Sequence, residues 1–133
     1  MSPDNADTNQ VLRVLVVDPL EETRAVLETV LRRRGMEIVT TPRREEGLRL
    51  AREFQPHVVV LDCETSPVEH GGDSAAAGQP FVAASPQAPP SLVLIGSARR
   101  VPVGESTRYL QKPYDYGPLV HTIEELLSVR RAA

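Results

Sequence analysis

The sequence has little that would suit an oxidising or membrane environment. Its 133 residues include a single cysteine, Cys63, which excludes an internal disulfide and is typical of a protein kept in a reducing compartment. Residues 1–10 are polar and acidic, unlike a signal peptide, and no apolar run approaches the roughly 18 residues that a membrane span needs. We therefore expect a cytoplasmic protein without a membrane partner.

Several common kinds of site are absent as well. The sequence has no glycine-rich phosphate loop, no nucleophile elbow and no recognisable catalytic triad. The histidines His57, His70 and His121 lack the spacing of metal ligands. A formal net charge of −3 and the lack of a recognisable reading helix argue against direct binding to nucleic acid. We expect no hydrolytic or nucleotide-binding site of a familiar type.

What the sequence does contain is an alternation of short apolar strands and helices. Residues 12–18 and 57–62 are β-branched runs that end in Asp18 and Asp62, and such runs are typical of strands buried on both faces. Further strands are predicted at 36–40, 92–97 and 108–111, and helices between 19 and 34, at 43–54 and at 117–130. This alternation predicts an α/β fold with a doubly wound, five-stranded parallel sheet, flavodoxin-like in its strand order 2-1-3-4-5. We expect one domain over residues 11–133, after a disordered tail at 1–10.

The chain between Asp18 and Glu21 has the composition of a helix start. Asp18 is predicted to be the N-cap, Pro19 fits the first helical position, and Glu21 completes a capping box. Gly35 is predicted to end this helix, since glycine is favoured directly after a helix C-terminus. One interpretation of Asp18 is therefore a purely structural cap.

Two of the predicted crossovers depart from the strand–helix pattern. Half of residues 64–91 are alanine, glycine or proline, and five prolines forbid a continuous helix there. We expect a long loop at 64–91, with at most a turn of helix near 74–77. Only fourteen residues separate Ser97 from Lys112, which leaves little room for a helix and a strand. The third and fourth crossover helices are therefore predicted to be eroded.

Polar side chains stand where the predicted strands end. Asp18, Asp62 and Ser97 are at the ends of three strands, and Lys112 lies just past another. The carboxyl ends of parallel strands share one edge of the sheet, and function gathers at that edge in open α/β folds. We expect the four residues to converge there. Lys112 should approach Asp62 closely enough for a salt bridge, because pairing lessens the cost of burying either charge.

Four motifs at these strand ends resemble the receiver domain of two-component response regulators, the CheY-like family. They are Val-Leu-Val-Val-Asp18, Val-Val-Leu-Asp62, Ile-Gly-Ser97-Ala98 and Tyr109-Leu-Gln-Lys112-Pro113-Tyr114, and the resemblance covers about residues 11–130. It implies that a histidine kinase phosphorylates Asp62, with Lys112 neutralising the phosphoryl oxygens. It also implies that Ser97 and Tyr109 form a switch, and that Asp18, Asp62 and the backbone carbonyl of Glu64 hold Mg²⁺.

The sequence departs from the family pattern on both sides of this site. Pro19 stands where the family has a second acid, which usually touches the metal, and Pro67 follows Asp62 by five residues instead of four. These departures favour a degenerate, stand-alone pseudoreceiver that acts by docking on another protein. Its phosphorylation would be weak or lost, and no enzymatic activity is expected beyond self-phosphorylation and self-dephosphorylation at Asp62.

Two other functions are compatible with the sequence. One is a true phospho-acceptor, phosphorylated on Asp62 by a histidine kinase with magnesium. The other is a flavodoxin-like domain that binds a small ligand at the same edge of the sheet. The expected partner is a histidine kinase or another signalling protein, and a homodimer is left open. Each residue also has a plainer interpretation: Lys112 and Asp62 as a structural ion pair, and Tyr109 as packing at the rim.

Overall fold

The computed structural model describes residues 11–63, 77–97, 104 and 106–132. Strands and helices alternate along these ranges. They are β1 (Arg13–Val17), α1 (Glu21–Arg33), β2 (Glu37–Thr41), α2 (Arg44–Phe54), β3 (Val58–Asp62), α3 (Gln79–Ala83), β4 (Ser91–Gly96), β5 (Thr107–Gln111) and α4 (Tyr116–Ala132). None of the helices in the described ranges has the length and apolarity needed to span a membrane.

The strands form one parallel sheet in the order β2-β1-β3-β4-β5, which confirms the predicted topology. In the register of this sheet, Val17 pairs with both Thr41 and Leu61, and Gly96 pairs with Gln111. Neighbouring strands therefore end nearly level with one another. The residues that follow them are brought to one edge, which we call the carboxyl edge.

The core consists of two layers, one on each face of the sheet. Alternate side chains of β1 explain this division: Val14 and Val16 pack on one face with α1 and α4, and Leu15 and Val17 pack on the other with α2 and α3. The central strands β1, β3 and β4 contribute to both layers, and the hydrophobic side chains of β3 are completely buried. Burial of each large aliphatic side chain stabilises the fold by about 1.5–3 kcal/mol, so these two core layers hold the strands, and with them the carboxyl edge, in place.

The predicted start of the first helix is wrong. Helix α1 begins at Glu21, its N-cap is Leu20, and no side chain caps it. The Asp18 side chain instead accepts a hydrogen bond from the Leu20 amide at 2.8 Å, which closes a turn before the helix. Leu20 is still extended, with φ −85° and ψ 118°, so neither an Asp18 N-cap nor a Glu21 capping box forms. The predicted stop is confirmed, because Gly35 has a φ of 84° that favours glycine.

The described part of the predicted long loop contains a helix that the sequence pattern did not place. The five-residue helix α3 has Pro80 in its first turn, where a missing N–H costs nothing. Phe81 anchors it, with no exposed surface and with the Arg44 guanidinium 6.0 Å from its ring centroid. Outside the described residues lie the predicted tail at 1–10, residues 74–76 of the turn predicted near 74–77, Glu64 and most of the fourth crossover.

Candidate functional site

The carboxyl edge brings together the two aspartates and the lysine that were predicted to meet there. Asp18 follows β1 and Asp62 ends β3, and each is only 1% exposed. Lys112 Nζ lies 2.8 Å from Asp62 Oδ2. The two side chains therefore form an ion pair, with the Asp62 carboxylate buried. The Lys112 amide donates to the Gly96 carbonyl at 2.8 Å, so the end of β4 positions the lysine backbone.

The two oxygens of the Asp18 carboxyl have different surroundings. Oδ1 accepts from the Leu20 amide, whereas Oδ2 is buried and has no hydrogen-bond partner among the described residues. Burial raises the pKa of Asp18 above its ordinary 3.8, and the nearby charge of Asp62 adds to the rise. The Leu20 amide, Lys112 and Arg24 oppose it. This carboxyl would be stabilised by a proton or by a cation at Oδ2.

The two residues that were predicted to form a switch lie at the end of β4 and on β5, the strand that pairs with it. Ser97 is exposed, and it lines a cleft together with Asp62 and Lys112. Tyr109 does not line this cleft. It packs instead in the core layer of α2 and α3, where its hydroxyl lies 3.1 Å from the place that a Cβ on Gly96 would take. The absence of a side chain on Gly96 therefore leaves room for the tyrosine at the end of β4.

The cleft has a volume of about 580 Å³, and only three of its eight lining residues, Asp62, Ser97 and Lys112, were predicted as site residues. Its lining consists of Leu20, Thr23, Asp62, Ser97, Lys112, Pro113, Tyr114 and Tyr116, and we call it the tyrosine cleft. The Tyr114 and Tyr116 rings meet edge to face with their centroids 6.1 Å apart. The only available signal was that both tyrosines closely follow Lys112 in a chain with three tyrosines in total.

Thr23 holds the two tyrosines on the α1 side of the cleft. Its Oγ1 lies 3.3 Å from the Tyr116 hydroxyl. Burial raises the pKa of Tyr114, a hydrogen bond with Thr23 opposes the rise, and the Asp18 charge adds to it. The Lys112–Pro113 peptide bond that leads into this turn is cis. The tyrosine cleft is therefore formed by α1, the start of α4 and the turn between β5 and α4.

The residues described at the carboxyl edge do not fit a tightly held magnesium ion. Mg²⁺ prefers octahedral coordination by oxygen and gives up its waters only to well-placed ligands. Asp18 Oδ2 is a suitable ligand, Asp62 pairs with Lys112 through Oδ2 alone, and Pro19 has no side-chain oxygen. Glu64, whose backbone carbonyl was predicted as a further ligand, lies outside the described residues. No group of three or more potential ligands from His, Cys, Asp and Glu comes together within the described ranges.

No family model matches the sequence, and no curated protein matches it. Solved structures do match. A response regulator receiver domain protein from Bacillus halodurans is 18% identical, with a TM-score of 0.66 over 88% of this chain and 97% of that chain. A CheY-like receiver domain protein from Methanospirillum hungatei is 16% identical, with a TM-score of 0.70 over 92% and 98%. The chemotaxis response regulator CheY4 of Vibrio cholerae is 21% identical, with a TM-score of 0.64 over 88% and 99%.

These similarities span nearly the whole length of each solved chain. At such low identities they establish the fold, so the chain has the fold of response-regulator receiver domains, as its motifs predicted. What the carboxyl edge does in this chain has to be argued from its own residues.

Proposed function

We propose that this protein is a receiver-like signalling module that acts by docking on a partner protein, and that phosphorylation of Asp62 is weak or lost. The receiver fold and the meeting of Asp62 with Lys112 at the carboxyl edge support the first part. The observation that carries the second part is the ligand set, in which exposed Pro19 follows Asp18 and adds no oxygen. In this proposal the partner is a histidine kinase or another signalling protein.

The chemistry of phosphoryl transfer explains why this ligand set matters. In the transfer, an Asp62 carboxylate oxygen would attack the phosphorus, and the bond from phosphorus to the donor's leaving atom would break; that atom is an imidazole nitrogen in a phosphohistidine and an acetate oxygen in acetyl phosphate. Nucleophile and phosphate are both negative, so the step needs positive charge around the phosphoryl oxygens. Lys112 can supply one charge, since its Nζ already lies 2.8 Å from Asp62. Without a well-held divalent metal, the remaining negative charge is not neutralised and transfer is slow.

One observation favours the second candidate, a true phospho-acceptor that uses magnesium. Oδ2 of Asp18 is buried without a hydrogen-bond partner in the described part of the chain, and buried carboxylate oxygens usually have one. A cation at that oxygen would satisfy it. The alternative therefore differs from our proposal in one measurable property, the readiness with which Asp62 is phosphorylated.

The test is treatment with acetyl phosphate and magnesium, followed by intact-mass measurement. We expect little or no phosphorylated protein. The variant Pro19→Asp/Glu64→Asn should gain a phosphoryl group at Asp62, because it restores oxygen ligands near the carboxylate pair. Adding Asp62→Asn to that variant is the matched control and should abolish the gain. If the unmodified protein readily gains a phosphoryl group and Asp62→Asn does not, the phospho-acceptor hypothesis is correct.

A further inference from the structure

The edge of the sheet at which the strands begin, which we call the amino edge, contains a histidine side chain within its hydrogen-bond ladder. The Arg13 amide donates to His57 Nδ1 at 2.9 Å, and the His57 amide donates to the Arg13 carbonyl at 2.8 Å. These bonds precede Val14 and Val58, the first pair of residues in the β1–β3 register. An imidazole nitrogen therefore accepts the first amide of β1, a role that a backbone carbonyl has elsewhere in a sheet.

The same arginine also binds the end of α2. Its Nε donates to the carbonyls of Phe54 and Gln55 at 2.9 and 3.1 Å, and its Nη2 donates to the Gln55 carbonyl at 2.9 Å. Gln55 ends the helix in the left-handed conformation, with a φ of 50°. The last carbonyls of a helix lack amide partners, and the guanidinium satisfies them here. Arg13 and His57 thus join the start of β1 to the connection between α2 and β3, and we call these contacts the Arg13–His57 junction.

The bond to Nδ1 exists only while the His57 ring is neutral. A ring nitrogen that accepts a hydrogen bond carries no proton, so the proton of the neutral ring is on Nε2. A second proton would go to Nδ1 and turn the acceptor into a donor. The Arg13 amide and Nδ1 would then be two donors 2.9 Å apart, and the ring would have to rotate away. Loss of the bond therefore follows from protonation itself, whatever the pH at which the ring takes its second proton.

Charged groups in the described ranges around the junction act on the pH of this protonation. A helix C-terminus favours a cation, but the Arg13 guanidinium already occupies the last carbonyls of α2 and adds positive charge beside the ring. Arg52 and Glu53 are exposed on the last turn of α2. Glu37 is exposed on β2, opposite Arg13, so β1 separates it from the ring. Residues 77–97, which include β4, contain no charged side chain. These charges shift the midpoint of the ring titration and leave its consequence for the Arg13 amide unchanged.

We propose that the Arg13–His57 junction is a pH switch, in which protonation of His57 releases the first amide of β1 and loosens the contact between β1 and the end of α2. Its two states are a closed junction with a neutral ring and an open one with the half-buried ring turned toward solvent. Opening stays local, because Val14 to Val17 are completely buried in the core. The junction lies roughly 16 Å along β3 from Asp62, so the switch goes beyond the proposed function and needs neither magnesium nor phosphorylation.

The test follows the His57 ring and the Arg13 amide in the unmodified protein between about pH 8 and about pH 5. The nitrogen NMR signals of the ring identify the neutral form with its proton on Nε2 and the midpoint at which the second proton binds. Hydrogen exchange, compared with the intrinsic rate at each pH, gives the protection of the Arg13 amide. We expect this protection to fall about tenfold with the midpoint of the ring titration, since one hydrogen bond is lost. The protection of the Leu15 amide, in the middle of β1, should stay constant.

Two asparagine variants show whether the ring is responsible. In His57→Asn, the side-chain Oδ1 is as many bonds from the backbone as Nδ1 and accepts the Arg13 amide without titrating. The protection of that amide should therefore be the same at every pH. His121→Asn is the matched control, because His121 is exposed on α4. It should keep the fall seen in the unmodified protein.

Four results would overturn the proposal. They are a neutral ring with its proton on Nδ1, a ring that stays neutral down to about pH 5, an Arg13 amide whose protection is constant through the ring titration, and a fall in protection that persists in His57→Asn. The first three are measured on the unmodified protein, so the proposal can be refuted even if His57→Asn does not fold. No measurement uses magnesium or a phosphoryl donor, so the outcome is independent of phosphorylation at Asp62.

Discussion

At the scale of single residues, Asp18 has the most unusual electrostatic setting at the carboxyl edge. It is 1% exposed, one of its oxygens lacks a hydrogen-bond partner among the described residues, and Asp62 lies near enough for its charge to be felt. Its main chain is well satisfied, since its amide donates to Thr41 and its carbonyl accepts from Arg24. The energetic cost of burying Asp18 therefore comes from its carboxyl group, and it can be measured through the dependence of stability on pH.

The first prediction concerns the dependence of stability on pH. Because burial raises the pKa of Asp18 above 3.8, the folded chain binds this proton more tightly than the unfolded chain does. The resulting stability is fully present below pH 3.8 and is lost as pH rises through the folded-state pKa. As pH rises through that window, the free energy of unfolding of the unmodified protein should therefore fall relative to that of Asp18→Asn. Urea unfolding at a series of pH values measures the difference, and a constant difference would contradict this account.

The second prediction concerns the effect of Lys112 on Asp18. The lysine charge lowers the pKa of Asp18, so Lys112→Met should raise that pKa further. Carboxyl titration by NMR measures the shift. Arg32→Met is the control, because Arg32 pairs with Glu28 on the exposed surface of α1 and should leave the titration of Asp18 unchanged. An unaltered Asp18 titration in Lys112→Met would mean that the lysine does not act on this carboxyl in solution.

At the scale of elements, helix α2 packs on the sheet through a glycine. A Cβ built on Gly47 would lie 2.7 Å from Val17 Cγ2 and 3.4 Å from the Phe81 ring. Side chains in a packed interior yield little, and the Val17 side chain belongs to a completely buried strand position. Gly47 therefore allows α2, β1 and α3 to approach one another closely.

The third prediction follows from this close approach. Gly47→Ala should lower the free energy of unfolding by about 1–3 kcal/mol, because overpacking outweighs the better helix propensity of alanine. Gly117→Ala is the matched control, since a Cβ there meets nothing within 4 Å. That substitution should be neutral or stabilise the protein by up to about 1 kcal/mol. Denaturant unfolding of both variants checks the prediction, and a stabilised Gly47→Ala protein would refute it.

The sequence allowed some elements to be predicted better than others, for physical reasons. The strands were placed to within about a residue, because continuous β-branched runs have few alternatives to a buried parallel strand. The start of α1 was misplaced because an aspartate can close a turn as readily as it can cap a helix, and Asp18 closes the turn to Leu20. Helix α3 was missed because Pro80 reads as a helix breaker, although in the first turn it is tolerated.

At the scale of the whole molecule, the fold predicted the polar end of the site but not its apolar walls. Strand ends in a parallel sheet share one edge, so Asp18, Asp62 and Lys112 could be placed together from their positions in the chain alone. The tyrosine cleft was not predictable in this way. Leu20 directly precedes α1 and Tyr116 begins α4, and no local sequence pattern indicates that these two helix starts meet.

The whole molecule therefore combines a receiver fold with a carboxyl edge at which an ion pair adjoins an apolar cleft. Its rigid two-layer core holds Asp62, Lys112 and the tyrosine cleft in one place. A preorganised surface of this kind lowers the cost of docking, since few groups must be ordered on binding. The central claim is that Pro19 and its surroundings leave the edge with too few oxygen ligands for magnesium.

The most direct test of that claim is a calorimetric titration of the unmodified protein and of Pro19→Asp/Glu64→Asn with magnesium. We predict weak or undetectable binding by the unmodified protein and at least about tenfold tighter binding by the variant, a gain of about 1.4 kcal/mol in binding free energy. Adding Asp62→Asn to the variant should remove most of the gain. Micromolar binding of magnesium by the unmodified protein, with no gain in the variant, would contradict the account.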